Sequence, residues 1–406
     1  MTSSATLRPT QSDATQSVPR AARLCLKLLE RLASGSLSLA DPAGGVRVYG
    51  QGHPQATIRI HRWDVFEAIL KRGDIGFAQA WIDGHWTTDS LAELLGLMVA
   101  NRQVLERAVY GTWYGQIVDR IRHLLNRNTR SGSRRNIHAH YDLGNDFYGL
   151  WLDETMTYSS ALFEGNGQRS LAAAQRAKND RLLREIAVAP GGRVLEIGCG
   201  WGGFAETAAR AGLEIHGLTL STEQLAYANS RLQRAGLATH GRLRLQDYRD
   251  EQGRYDAIVS VEMFEAVGEA YWPAYFDTLR RCLKPGGRAA IQTITIADAY
   301  FERYRRGTDF IQQYVFPGGM LPSPSRFEAL ARAAGLEVVN RLAFGKDYAR
   351  TLALWREVFM SKLPAVREQG FDQRFVRTWE FYLAYCEAAF RHDSTDVYQY
   401  TLQLPS

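Results

Sequence analysis

From about residue 190 the chain alternates short apolar runs with amphipathic ones, and this rhythm constrains the fold more than any other feature. RVLEIG (193–198), EIHGLTL (214–220), RLRLQD (242–247), YDAIVSV (255–261) and GRAAIQTITI (287–296) read as strands. GLEVVNRLAF (335–344) and VYQYTLQL (397–404) supply two more. Strands alternating with helices predict an α/β architecture built on a doubly wound, mostly parallel, seven-stranded sheet. Ligands of such sheets sit beyond the carboxyl ends of the strands. Two glutamates, Glu262 and Glu265, follow the end of YDAIVSV and so fall on that rim.

VLEIGCGWGG (194–203) is a strand entering a glycine-rich turn that opens a helix. Gly198, Gly200 and Gly202 let the backbone approach a ligand where side chains would collide. A glycine triplet alone also suits a dinucleotide fold. Here, however, the acidic residue, Glu196, lies inside the strand just before the glycines, and DAIVS and KPGG follow at the distances of later strands in a methyltransferase sheet. The pattern therefore points to S-adenosylmethionine. Many such sheets end their second strand on an acid that binds the ribose; this chain has Gly217–Leu218–Thr219, leaving Thr219 and Gln224 as the nearby polar groups.

The rest of the chain divides around one stretch. RIRHLLNRNTRSGSRRN (120–136) reads as a basic linker, either a solvated hinge or a contact for lipid head groups through Arg130, Arg134 and Arg135. Residues 1–20 read as a disordered leader. Residues 21–119 read as a small α+β domain for lipid contact or oligomerisation, with a helix over 23–33, strands VRVYG (46–50) and ATIRIHR (56–62), helices over 63–73 and 90–102, and a turn at WIDGHW (81–86). The methyltransferase domain is then 137–406. With 49 Lys+Arg against 43 Asp+Glu the surplus of positive charge is mild; it is compatible with an anionic surface and identifies none. The four cysteines lack CxxC spacing, so neither a metal site nor a disulfide framework is expected. No apolar run approaches the roughly 20 residues that span a bilayer. Nucleic-acid methylation is disfavoured, because neither an Asn/Asp-Pro-Pro-aromatic motif nor a Pro-Cys nucleophile is present.

HYDLGNDFYGLWLD (140–153), MTYSSALFE (156–164), LEIGCGWGG, GLTLSTEQ, LQDYRD, MFEAVG and QYVFPGGMLPS (313–323) occur in that order. Together they resemble the cyclopropane fatty acyl phospholipid synthases and their mycolic acid relatives. The resemblance implies a cytoplasmic enzyme peripheral to the inner face of the membrane that methylates the double bond of unsaturated acyl chains of membrane phospholipid, and it is compatible with a homo-oligomer. It implies that Tyr158, Ser159, Glu196 and the glycines contact the cofactor, that Thr219 and Gln224 serve the ribose, and that Gln246, Asp247 and Tyr248 flank the adenine.

An alkene is a poor nucleophile and must be held dry and aligned against the sulfonium methyl. Aromatic faces can steady the resulting carbocation; Phe147, Tyr148, Tyr158, Phe264, Tyr304, Tyr314 and Phe316 lie in the family-like segments. The resemblance implies a bound bicarbonate that takes the final proton. Its cage maps to Glu265, Tyr314, the backbone at Ile294, Ser160 where the family has Cys, and Gln292 where it has His. These substitutions retain hydrogen-bonding groups but remove the imidazole. The product expected from the resemblance is a cyclopropane chain; methylation without ring closure is the alternative. Glu265 is thus the expected catalytic carboxylate, with Ser160, Gln292 and Tyr314 around it. Glu262 is expected to cap a helix or neutralise an arginine.

Overall fold

The structure is a computed structural model and describes residues 18–109 and 143–406. The leader up to residue 17, the basic linker with Arg130, Arg134 and Arg135, and the start of the HYDLGNDF motif lie outside the described residues.

Seven strands form the large sheet, in the order β10-β11-β9-β8-β5-β6-β7. They are β5 (Arg193–Ile197), β6 (Glu214–Thr219), β7 (Gly241–Leu245), β8 (Tyr255–Val261), β9 (Leu283–Ile296), β10 (Glu337–Ala343) and β11 (Thr395–Gln403). β7 through β9 run parallel, whereas β10 and β11 join antiparallel at the edge. Val194, Leu195, Ala257, Ile258 and Val259 have no exposed surface, as expected of central strands covered by helices on both faces. The chain builds outward from β5 to β7 and then returns to place β8 on β5's other side. The order therefore reverses between β5 and β8, and a crevice opens beyond their carboxyl ends.

The N-terminal part carries a second sheet, ordered β2-β1-β3-β4. Its strands are β1 (Gly35–Ala40), β2 (Val46–Gln51), β3 (Gln55–Ile60) and β4 (Trp86–Thr87). β2 and β3 match expectation, while β1 and the short β4 are additional. The helix at the start runs Arg20–Leu29, earlier than its apolar spacing indicates, because Pro19 fixes its entry. The helix expected to stop at Gly73 instead bends there, with φ 58° and ψ −130°, and continues to Ile82. Only glycine adopts such a backbone readily.

This N-terminal part packs onto the long helix Gln373–Arg391. The Trp81 indole donates to Arg377 O at 3.1 Å, and the Arg377 guanidinium donates back to Trp81 O at 2.7 Å. One apolar cluster runs without a break from Leu37, Ile58 and Trp86 to Trp355, Trp379 and Phe381. Among the described residues no helix is long and apolar enough to cross a membrane.

Candidate active site

A cavity of about 180 Å³ occupies the crevice at the β5/β8 switch point. Tyr158, Ser159, Glu196, Gly198, Gly200, Thr219, Gln224, Gln246, Asp247 and Tyr248 line it. Gly202 does not: it sits where a Cβ would press within 3.0 Å of Ala228, so it serves helix packing. The turn takes φ 84° at Gly198, 48° at Gly200 and 79° at Gly202, conformations that favour glycine. The Thr219 hydroxyl donates to Gln224 Oε1 at 3.2 Å and accepts from Ser221 N at 3.2 Å, fixing the pair beside the turn. Asp247 is held by Arg249, whose Nη2 lies 2.6 Å from Oδ2. Glu196 is buried, and its Oε2 has no hydrogen-bond partner among the described residues. A bare glycine backbone, a paired Thr/Gln and an unsatisfied carboxylate oxygen suit an adenosyl amino acid.

The glutamates behave differently from the sequence-based expectation. Among the described residues Glu262 neither caps a helix nor meets an arginine. Its N–H donates to Gln292 O at 2.8 Å, adding a rung to the β8–β9 ladder, and the residue then leaves the strand at φ 47°. For a non-glycine residue this costs roughly 1–3 kcal/mol, and such strain concentrates at functional sites. The turn aims the carboxylate back into the cavity, which it lines. Oε1 accepts from Ser160 N at 2.8 Å and from Gln292 Nε2 at 2.7 Å, and Oε2 accepts from the Tyr348 hydroxyl at 2.6 Å. Gln292 is itself locked, because its Oε1 accepts from Gln399 Nε2 at 2.9 Å and Gln399 Oε1 accepts from Arg181 at 2.6 Å. Burial raises the Glu262 pKa, opposed by the bonds from Tyr348 and Gln292.

Ser160 and Gln292 therefore gather around Glu262 and not around Glu265. Glu265 lies three residues on, outside the lining of the cofactor cavity. Its Oε1 accepts from Ile294 N, while Oε2 is buried without a partner among the described residues. Burial first, and the neighbouring Glu262 charge second, push its pKa up to about 8. The Tyr314 hydroxyl is committed to Gln79 of the N-terminal part. Each donor that the resemblance assigns to a bicarbonate is thus met by the chain's own acceptor: the Ser160 hydroxyl by Ala161 O, Gln292 Nε2 by Glu262, Ile294 N by Glu265, and Tyr314 by Gln79. The arrangement does not fit a bound oxyanion.

Of the aromatic candidates, Phe147, Tyr148 and Phe264 have no exposed surface and pack in the core. Tyr158 shares a 2.6 Å hydroxyl contact with Tyr382. Sequence reasoning passes over Tyr348, Gln399 and the buried Lys178. For Lys178 a signal exists. The buried face of helix Leu171–Ile186 is Ala174, Gln175, Lys178, Asn179, Leu182 and Ile186, so polar residues occupy three helix-spaced positions where apolar ones belong.

A second cavity, about 710 Å³ and mostly apolar, lies between the N-terminal part and the large-sheet part. Leu29, Leu37, Ile58, Ile60 and Phe66 form one side, and Ile296, Tyr304, Leu321 and Phe381 form the other. Gln292, Ile294 and Ile296 are alternate residues of β9, so they share one face of the strand. The first bonds Glu262 at the cofactor cavity, the second bonds Glu265, and the third lines the apolar cavity.

The profile of the family described as mycolic acid cyclopropane synthetase matches residues 128–400. This chain belongs to the cyclopropane synthase family. Like the rest of that family, it is an S-adenosylmethionine-dependent methyltransferase. Tuberculostearic acid methyltransferase UfaA1 of Mycobacterium tuberculosis is 41% identical over 363 residues, covering 87% of this chain and 84% of the relative. Cyclopropane-fatty-acyl-phospholipid synthase of Escherichia coli is 32% identical over 379 residues, covering 91% and 92%. The structure of mycolic acid cyclopropane synthase CmaA1 complexed with SAH and CTAB superimposes with a TM-score of 0.62 at 31% identity, covering 66% of this chain and 98% of that one. The family fold thus accounts for about two thirds of this cyclopropane synthase relative, and the first two proteins match it over most of its length.

Proposed function

We propose that this enzyme transfers a methyl group from S-adenosylmethionine to the double bond of an unsaturated fatty acyl chain drawn from a membrane phospholipid. The observation that carries the reading is the β9 row: it runs from the cofactor cavity to a large apolar cavity, with Glu265 at its midpoint. A volume of about 710 Å³ falls within the range that binds small ligands, and its aliphatic lining suits an acyl chain. Leu24, Val46 and Val48 are large apolar side chains exposed on the N-terminal part, which supports its role as the face that meets the bilayer.

The bound cofactor supplies the electrophilic methyl. The alkene's electron pair forms the new carbon–carbon bond, the carbon–sulfur bond breaks onto sulfur, and a cation remains on the neighbouring chain carbon. The apolar walls exclude water that would trap this cation, and the Tyr304 ring offers it a π face. Glu265 Oε2, buried and unpaired, accepts the proton that the intermediate must lose. Loss of that proton from the former methyl with bonding to the cationic carbon closes a cyclopropane. The net change is addition of CH2. Ser160, Gln292 and Tyr348 donate to Glu262 and favour its carboxylate form against the burial that raises its pKa, and Tyr314 ties this region to the N-terminal part through Gln79.

A second reading shares every step to the cation and ends without a ring: a hydride shift along the chain followed by loss of a proton from the former methyl gives a methylene branch, and loss of a proton from a neighbouring chain carbon gives a methyl-branched alkene. Gln292, in place of the imidazole, favours it, as does the 41% identity to a protein named tuberculostearic acid methyltransferase. Gas chromatography–mass spectrometry of lipids from a host expressing the enzyme separates the two. A cyclopropane peak supports the first reading, and a branched chain without that peak supports the second. Unchanged acyl chains refute both.

A further inference from the structure

The donor that Gln292 gives to Glu262 has its direction decided outside the cavity. Gln292 and Gln399 are buried and stand directly opposite each other on the antiparallel strands β9 and β11, so their side chains leave the same face of the sheet. A glutamine amide donates at nitrogen and accepts at oxygen, and half a turn exchanges the two ends. Two such amides in a row can therefore run in either sense. One sense delivers an N–H to an ionised Glu262; the reverse presents an oxygen and suits a protonated one. Arg181, on the helix Leu171–Ile186 that packs against both strands, admits only the first. A guanidinium is permanently charged and only donates. Its Nη1 donates to Gln399 Oε1 at 2.6 Å, Gln399 Nε2 donates to Gln292 Oε1 at 2.9 Å, and Gln292 Nε2 donates to Glu262 Oε1 at 2.7 Å. Three hydrogen bonds thus run in one sense from a fixed cation to the carboxylate. Arg181 is itself secured. Its Nη2 lies 3.3 Å from Glu185 Oε1, and Glu185 accepts from the Thr401 hydroxyl at 2.6 Å and from Asn340 Nδ2 at 2.9 Å. The residue lines neither the cofactor cavity nor the apolar one.

We propose that Arg181 is a positioning residue for methyl transfer: through Gln399 and Gln292 it fixes the amide that donates to Glu262, and so keeps a carboxylate facing the transferring group. With the sense reversed, Gln292 Oε1 faces Glu262 Oε1 and also Ser160 O, which its nitrogen now reaches at 3.4 Å. Two acceptors in contact repel, and Glu262 relieves the conflict by taking a proton and donating it to Gln292. The remaining groups that face Glu262 are Ser160 N, the Tyr348 hydroxyl and the Lys178 charge, which favour its carboxylate form, and the Glu265 charge, which opposes it. The assignment rests on the methyl-transfer reading of the site and adds the residue that governs its electrostatics from behind the sheet.

Two variants of the full-length enzyme break the relay in different ways. Arg181→Met removes the cation that sets the sense. Gln399→Glu keeps an acceptor for Arg181 but has no N–H for Gln292, so Gln292 turns its nitrogen toward position 399 and its oxygen toward Glu262. On vesicles of monounsaturated phospholipid, kcat should fall about 10-fold in each, the scale of one hydrogen bond to a charged group. The acid limb of kcat/KM should move to lower pH, because a neutral Glu262 no longer raises the pKa of Glu265. Arg181→Lys, which keeps a donor without an acceptor, should recover most of the rate. Either change added to Glu262→Gln should cost no more than about twofold further, since its target is already gone. A wild-type rate with an unmoved acid limb in Gln399→Glu overturns the proposal. So does a loss that multiplies with that of Glu262→Gln, which makes Arg181 merely structural. If Arg181→Met does not fold, Gln399→Glu and Arg181→Lys supply the result. Wild-type enzyme that methylates no acyl chain overturns the reaction reading, and the positioning role falls with it.

Discussion

Replacing Glu262 by Gln tests the electrostatic coupling at the heart of the site. Glu265 is the group that takes the proton, so it must be ionised, and activity falls as pH drops through its pKa. That pKa is pushed up to about 8, by burial foremost and by the Glu262 charge next. Gln is isosteric: its carbonyl can still accept from Ser160 N and Gln292 Nε2, and Tyr348 can turn its hydroxyl to accept from the new amide. The substitution therefore removes a charge while keeping the shape. A like charge a few ångströms away moves a carboxylate by about one unit, or about 1.4 kcal/mol. The acid limb of kcat/KM, measured on vesicles of monounsaturated phospholipid between pH 6 and 9, should move down by about that unit. The maximal rate should also fall, because the strained turn at φ 47° no longer delivers a charge to the cavity. An acid limb that stays in place, or moves to higher pH, refutes the coupling and with it the assignment of the limb to Glu265.

Glu265→Gln should abolish product formation and leave S-adenosylhomocysteine affinity within about twofold by calorimetry, because Glu265 lies outside the lining of the cofactor cavity. Gly198→Ala should weaken cofactor binding and lower Tm: the residue has φ 84° and a Cβ there meets Met263 at 3.0 Å, a left-handed penalty of about 1–2 kcal/mol. Trp81→Ala should destabilise by about 3–5 kcal/mol in denaturant titrations, since it removes a buried indole and the bond to Arg377 O that joins the two parts. Asp74 accepts from the Tyr385 hydroxyl at the same junction, and burial pushes its pKa up to about 7. A carboxyl whose pKa is raised in the fold contributes stability at low pH that is lost as pH rises through 7. Asp74→Asn should therefore flatten the pH dependence of Tm between pH 5 and 8.

The large sheet was legible because its strands are short apolar runs bounded by turns, and period alone places them. YDAIVSV coincides with β8 residue for residue. The cofactor cavity was legible for the same reason, as the glycine turn and Thr219–Gln224 are local in sequence. Glu262 was not. Its partners stand 102, 86 and 30 residues away, at Ser160, Tyr348 and Gln292, and no local pattern brings them together. From sequence, a carboxylate after a strand reads as a cap; here the positive φ turns it inward. β1 escapes notice because GSLSLA alternates serine with leucine after a glycine, which resembles a turn as much as a strand. The apolar cavity was also hidden, since its walls come from both ends of the chain and only the docking on Gln373–Arg391 brings them face to face.

Deuterium labelling of the transferred methyl bears most directly on the central claim. Cells expressing the enzyme and supplied with trideuteromethyl methionine carry the label into S-adenosylmethionine, and mass spectrometry of their phospholipid acyl chains reads its fate. Methyl transfer to the double bond followed by loss of a methyl proton to Glu265 predicts one added carbon bearing two deuterons. Three retained deuterons would show that the proton leaves from elsewhere on the chain and would contradict the role given to Glu265. Acyl chains that gain no label would contradict the proposed reaction altogether.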